Sequence, residues 1–126
     1  MLRVAARYAD DWNVASIGIG RYRRTAAEFE RACAEVGRDP ASVRRSWSGG
    51  CICMPTQSEA LRLAGTRYNS HPEDDFDFVG TPDQLIEQMR RFIDMGVTSF
   101  LVDCGGWPRL TTLELLVNEV IPALKD

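Results

Sequence analysis

The chain has 126 residues, a length typical of one domain with its own hydrophobic core. Its net charge of −3 provides no basic stripe for phosphate backbones, which argues against a nucleic-acid-binding module. No run approaches the roughly 18 apolar residues that cross a membrane, and the N-terminus lacks a charged-then-apolar signal. We therefore expect a single α/β domain over residues 1–126, located in the cytoplasm.

Helical and strand-like segments alternate along the chain. Apolar spacing and helix-start signals predict helices near residues 2–9, 25–36, 57–64, 82–95 and 111–124. β-Favouring runs between them predict strands at residues 11–17, 43–54 and 97–103. This order indicates parallel strands with right-handed crossovers.

Threonine and glycine residues mark the predicted helix ends. Four threonines stand three residues before Glu or Gln, the spacing of a capping box, at Thr25/Glu28, Thr56/Glu59, Thr81/Gln84 and Thr111/Glu114. Glycines that follow three of the helices predict left-handed C-terminal caps at Gly37, Gly65 and Gly96. The last helix carries an apolar stripe that we expect in the core, at Leu113, Leu116, Val117, Val120, Ile121 and Leu124.

Two segments interrupt the regular pattern. Gly49-Gly50 lies inside the middle strand and predicts that the strand bends, bulges or splits there. A glycine-rich phosphate cradle is less favoured there, since no strand–glycine–helix order surrounds it. Residues 66–77 have no periodicity and several acidic residues, which predicts a long, solvated surface loop.

Cysteine and histidine spacing gives little support for a metal site. Cys51 and Cys53 lie two apart on one strand face, whereas zinc ligands typically follow Cys-x-x-Cys spacing. His71 is the only histidine and lies in the polar loop. We expect no metal and reduced, mostly buried thiols. A thiol redox protein built on these two cysteines is a third, weaker alternative.

Three segments in series resemble the luciferase-like flavin- or F420-dependent oxidoreductases, specifically their C-terminal portion. Leu2–Asn13 is similar to the helix leading into an Ala-Asp-Gly-Trp-Asn strand, with Asp11 where glycine is usual. Phe29–Ser46 resembles the helix, Gly-Arg-Asp-Pro turn and Arg-Ser strand of the family. Val79–Val102 resembles the Gly-Thr-Pro repeat, and Leu116–Leu124 the closing helix.

The resemblance implies a TIM-like (β/α)8 barrel that binds FMN or coenzyme F420 at the C-terminal ends of its strands. There it would transfer a hydride or activate oxygen on a small organic substrate. Three strands with four to five helices supply only part of the eight-stranded barrel. We therefore expect a homo-oligomer, or a complementary N-terminal barrel fragment as partner.

The resemblance and the glycine-rich turn after the last strand together suggest a set of ligand contacts. Candidate cofactor-binding residues are Trp12, Asn13, Cys104, Gly105 and Trp107. For Gly105 and Trp107 a simple turn, with the indole packed over it, is the competing interpretation. The usual catalytic groups of the family have no matching positions here, so no catalytic residue is assigned.

Two functional hypotheses follow. In the first, the chain assembles into a complete flavin- or F420-dependent monooxygenase or oxidoreductase. In the second, it is a non-catalytic truncated family member with a scaffolding or ligand-binding role, because no positioned nucleophile and base are evident.

Overall fold

The computed structural model describes residues 1–125, which form an α/β fold around a parallel sheet. The strands are β1 Asp11–Ala15, β2 Arg44–Cys53, β3 Phe78–Gly80 and β4 Ser99–Cys104. The helices are α1 Leu2–Tyr8, α2 Ile19–Glu35, α3 Gln57–Ala64, α4 Pro82–Asp94 and α5, which joins Thr111–Leu115, a π-helical turn Leu116–Val120 and Ile121–Leu124. The predicted fold class and three strands are confirmed, and β3 is a fourth strand too short to show a periodicity.

The long strand β2 is the centre of the sheet. The backbone N–H and C=O groups of its even-numbered residues form hydrogen bonds on one side of the strand. There Arg44 N donates to Asp10 O and Met54 N donates to Gly80 O. β1 and β3 therefore follow one another along the same side of β2. β4 pairs with the other side in continuous parallel register. Three strands consequently lie abreast at most, and the outer edges of β1 and β4 have no partner strand within residues 1–125.

One face of this sheet is covered by helices and holds the core. Trp47 is fully buried, with its ring centroid 4.3 Å from that of Phe78, and both rings contact Phe92 of α4. On β1, Trp12 stacks on Phe29 of α2 at 4.5 Å with an interplanar angle of 7°. None of the helices described within residues 1–125 is long and apolar enough to span a bilayer.

The opposite face is open over much of its length, but near α3 a second buried cluster covers it with Ile52, Met54, Ala60 and Ala64. Because side chains alternate along strands, residues in register on this face are Asn13, Ser46 and Ser99 at one level and Ala15, Ser48 and Leu101 at the next. Leu101 is 59% exposed. A parallel sheet normally has both faces covered, so this face is the least typical feature of the fold.

The helix-start predictions are only partly correct. Thr81 and Gln84 form the full capping box, with Gln84 Oε1 accepting from Thr81 N at 2.9 Å. Thr56 caps α3 through Glu59 N. Thr25 instead lies inside α2 and donates to Arg21 O, and the predicted cap at Thr111 is also absent, because Leu110 occupies the N-cap.

Tertiary contacts explain why α2 begins at Ile19. Gly18 N donates to Asp74 O and Gly20 N to Pro72 O, so the loop satisfies amide groups at the start of the helix. Such partners are far away in the sequence and leave no local signal. The glycine predictions are confirmed in the positive φ of +72° at Gly37 and +100° at Gly96, whereas Gly65 combines a φ of +54° with a ψ of −130°, outside the left-handed helical region.

The apolar stripe of α5 divides between two environments. Leu116 and Val120 are buried against the core as expected. Leu113, Val117 and Ile121 are exposed, so the expectation that the whole stripe is core is wrong for these three. The helix packs along one narrow side, and nothing within residues 1–125 covers the other.

Candidate functional site

The candidate site lies where the parallel strands end. Ligands of open and closed parallel α/β folds bind at the carboxyl ends of their strands. A cavity of about 590 Å³ opens here on the uncovered face, beside a second of about 360 Å³. Both are lined by Ser16, Gly50 and Asp103; Ser48 and Leu101 complete the first, and Arg67, Tyr68, Asn69 and Asp77 the second. We call these two adjoining cavities the mouth.

Asp77 organises the mouth. Its carboxylate is 5% exposed and accepts hydrogen bonds from Ser16 Oγ and Gly50 N, each at 2.9 Å. It also accepts from Asn69 N at 3.0 Å and Asn69 Nδ2 at 3.2 Å. These charge-assisted bonds fasten the loop to β1 and β2. The expectation of a wholly solvated loop is therefore wrong at Asp77.

The remaining acidic residues of the loop are exposed, as expected, and most pair with α2. Arg21 Nη1 lies 2.7 Å from Asp75 Oδ1, and Arg24 lies 3.6 Å from Glu73. Exposed pairs of this kind contribute little stability individually. They nevertheless reinforce the backbone contacts that hold the loop beside the mouth.

Ser16 links β1 to the loop through a sparsely populated backbone conformation. Its φ is +46°, in the left-handed region that non-glycine residues rarely adopt. Three contacts hold it there: Ser16 N donates to Ser48 O at 2.7 Å, its carbonyl accepts from Phe76 N at 2.9 Å, and its hydroxyl bonds Asp77. Such strain persists only where neighbours over-determine it and clusters at functional sites.

Tyr68 occupies a slot made by two glycines. A Cβ at Gly50 would lie 2.6 Å from Tyr68 Cε1, and one at Gly105 would overlap the Tyr68 hydroxyl. β2 keeps its register with β4 through Gly49 and Gly50, so the predicted bulge is wrong. At Gly50 the glycine makes room for an aromatic ring. Burial raises the pKa of Tyr68, and the nearby Asp103 carboxylate raises it further.

A ladder of polar side chains runs along the open face below the mouth. Ser48 Oγ donates to Asn13 Oδ1 at 3.0 Å, and Asn13 Nδ2 donates to Ser46 Oγ at 2.9 Å. Ser46 Oγ in turn donates to Asp11 Oδ1 at 2.7 Å. This face is thus internally bonded and polar, a surface suited to water or a polar partner rather than to an apolar core.

The five predicted cofactor contacts fall in different places. Asn13 belongs to the polar ladder, Gly105 forms the slot under Tyr68, and Trp107 is 82% exposed on the loop after β4. Trp12 and Cys104 point to the helix-covered face, away from the mouth. The structure therefore does not bring the five together. Cofactor binding by them stays a prediction.

Sequence reasoning missed several residues of the mouth. Ser16 and Asp103 adjoin strand ends, so the rule that sites form there was the available signal. Tyr68 and Asp77 belong to an irregular loop whose path is set by tertiary contacts. No local pattern identifies them.

The buried thiols do not support the redox alternative. Cys51 and Cys53 are fully buried, and burial raises the pKa of both, for Cys53 to about 11. A reactive cysteine needs an accessible thiolate near neutral pH. Neither group provides one.

A comparison with protein families identifies the class to which this architecture belongs. Residues 1–76 match the luciferase-like monooxygenase family, and the chain therefore belongs to that family. A comparison with curated protein sequences gave no match.

Solved structures of TIM-barrel, luciferase-like proteins share the fold. The coenzyme F420-dependent tetrahydromethanopterin reductase from Methanopyrus kandleri aligns with 97% of this chain and 47% of its own, at a TM-score of 0.72 and 16% identity. An F420-dependent secondary alcohol dehydrogenase aligns with 99% of this chain and 46% of its own, at a TM-score of 0.74 and 19% identity. EDTA monooxygenase from Chelativorans sp. BNC1 aligns with 98% of this chain and 43% of its own, at a TM-score of 0.69 and 17% identity. The chain thus spans less than half the length of these structures.

Proposed function

We propose that this chain forms the last strands of a flavin- or F420-dependent oxidoreductase barrel, acting in the cytoplasm by hydride transfer or oxygen activation on a small organic substrate. Family membership and the F420-dependent proteins of similar fold support this proposal. The observation that carries it is the mouth, a polar cavity at the strand ends that continues into an open sheet face. A finished scaffold without a ligand has little need for such a surface.

The residues of the mouth fit one side of a flat, hydrogen-bonding ring. Asp103 offers an exposed acceptor, the hydroxyl groups of Ser16 and Ser48 can donate or accept, and Leu101 adds an apolar contact. When bound, the flavin or deazaflavin supplies the redox chemistry. These side chains would orient it, and Tyr68 would shield it from water. The other side of the ring needs groups from elsewhere.

Strand number indicates what completes the barrel. At most three strands lie abreast here, whereas the barrel needs eight. Two copies bring six strands and three copies nine, so a ring of identical copies does not close with the usual number. We therefore favour a complementary βα polypeptide with five strands over a homo-oligomer.

Exposed apolar side chains lie on the first and last helices. Val4 and Tyr8 project from α1, which packs on α2, and Leu113, Val117 and Ile121 project from α5. In a complete barrel these positions would contact the neighbouring βα units. Their number supports burial against a partner, because apolar groups so arranged gain most by leaving water.

The test combines cofactor titration with molecular mass. Purified protein, alone and mixed with the five-stranded N-terminal part of a luciferase-like barrel, is titrated with FMN and with F420 by fluorescence while light scattering records the mass of the same sample. We expect saturable binding by a species heavier than the monomer, weakened by Asp103→Asn and unaffected by Asp94→Asn, a matched change on the exposed surface of α4. A folded monomer that binds neither cofactor would contradict the proposal and favour the non-catalytic scaffolding alternative.

A further inference from the structure

A second groove lies outside the mouth, between α3 and the loop that follows β4. Its volume is about 490 Å³, and Arg67 lines both this groove and the mouth. Its principal side chains are Arg62, Arg67, Arg109, Trp107, Glu59 and Leu63. We call it the arginine groove, after the three guanidinium groups around it.

Among the described residues, five arginines form ion pairs with carboxylates. Arg21, Arg45 and Arg91 each have a carboxylate oxygen within 3.1 Å or less. Within the described residues 1–125, Arg62, Arg67 and Arg109 form no ion pair. Three guanidinium groups against one carboxylate leave an excess of positive charge around the groove, which attracts anions.

The acidic residue in the groove is already engaged. Glu59 Oε1 accepts a hydrogen bond from Thr56 Oγ1 at 3.0 Å, at the start of α3. Its carboxylate therefore supports the helix cap instead of pairing with a groove arginine. The groove keeps a net positive charge, in contrast to the mouth, where Asp77 and Asp103 repel anions.

The wall of the groove is preformed. Gly106 has a φ of +99°, and a Cβ there would lie 3.0 Å from Leu63 Cδ2, so the loop packs closely on α3. This packing places Trp107 at the groove with 82% of its surface exposed. An exposed indole beside guanidinium groups is a platform on which a flat ring can stack.

We propose that the arginine groove binds a small molecule carrying two or more phosphate or carboxylate groups next to a flat ring. Arginine guanidinium groups recognise both anions through paired N–H donors. Trp107 supplies the stacking surface for the ring. The site belongs to this chain alone and does not depend on closure of the barrel or on the redox function proposed above.

Calorimetric titration at low ionic strength tests the proposal, with tripolyphosphate, ADP and tetraglutamate as probes. We expect saturable binding, with affinity reduced about tenfold or more in the triple variant Arg62→Gln/Arg67→Gln/Arg109→Gln. The variant Arg7→Gln/Arg23→Gln/Arg31→Gln removes the same charge from exposed positions elsewhere and should bind like the parent. Equal loss in both variants, or no binding of any probe, would overturn the proposal.

The probes separate the chemistry of the ligand. Tighter binding of tripolyphosphate assigns the anion as phosphate, and tighter binding of tetraglutamate assigns it as carboxylate. Trp107→Ala should weaken ADP severalfold and leave tripolyphosphate unchanged. Unchanged ADP binding in that variant would refute the stacking role of Trp107.

Fluorescence gives an independent readout that does not require a natural ligand. Trp12 and Trp47 are buried, so Trp107 is the indole that quenchers reach among the described residues. Relative to free N-acetyltryptophanamide, iodide should quench it more strongly and caesium less strongly, because the arginines concentrate anions and repel cations. The groove triple variant should remove this difference and the control variant should keep it; equal relative quenching by both ions in the parent protein would contradict an anion-binding groove.

Discussion

The two faces of the sheet differ in how their side chains contribute to folding. On the covered face Trp47 and Phe78 are fully buried against Phe92 of α4. The open face carries the Asn13 ladder and an exposed Leu101 at the same levels of the same strands. Folding of this chain is therefore driven from one side, because apolar burial is the dominant favourable contribution. The other side keeps polar groups available for a ligand or partner.

Energetic scales support this division. Burying an aromatic side chain contributes a few kcal/mol, whereas a typical intramolecular hydrogen bond contributes only about 0.5–1.5 kcal/mol net. The ladder bonds also compete with water, since Asn13 is exposed. The buried aromatic residues therefore contribute more to stability than the polar ladder does.

Truncating the centre of the covered face should have the largest effect. Trp47→Ala removes a ring that contacts Phe78 and donates its indole N–H to Ile17 O at 2.9 Å. We expect the free energy of unfolding to fall by about 3–5 kcal/mol in urea denaturation. Leu101→Ala on the open face should change it by less than about 0.5 kcal/mol. Similar losses in both variants would mean that the open face is packed in solution.

Asp77 tests how firmly the mouth is built. Asp77→Ala leaves the amides of Gly50 and Asn69 and the hydroxyl of Ser16 without their acceptor. We expect a loss of about 1–3 kcal/mol in unfolding free energy, because donors that are partly shielded from water are left without a partner. Asp75→Ala, which removes only an exposed ion pair, should cost less than about 1 kcal/mol. Loss of protection of the Gly50 amide in hydrogen exchange would localise the effect to the mouth.

These two regions also show what the sequence could reveal. Helix ends at Gly37, Gly65 and Gly96, the cap at Thr81 and the three main strands all follow from short-range patterns. The same patterns failed where distant residues decide, as at the start of α2 and in the slot that Tyr68 fills beside Gly50. The mouth is of this second kind, because Asp77 meets Ser16 across 61 positions. Periodicity alone also missed the exposed side of α5, since an apolar stripe does not say which neighbours are present to cover it.

The dependence of the unfolding free energy on alkaline pH tests how burial affects the Cys53 thiol on the covered face. Burial raises the pKa of Cys53 from the ordinary value of 9.0 to about 11, so the folded state disfavours its thiolate. The resulting stability is fully present below pH 9 and is lost as the pH rises from about 9 towards 11. Unfolding free energies measured across that range should decline less steeply in Cys53→Ala than in the parent protein. Parallel declines would show that Cys53 does not titrate differently in the folded and unfolded chains.

The smallest effect on stability is expected at Trp107, where the contrast between folding and binding is sharpest. Its indole is 82% exposed, so Trp107→Ala should change the free energy of unfolding by less than about 0.5 kcal/mol. If the loop after β4 serves a ligand, the same change should weaken binding of ADP by the arginine groove. A drop of more than about 1 kcal/mol in stability would instead place the indole in a packed environment in solution.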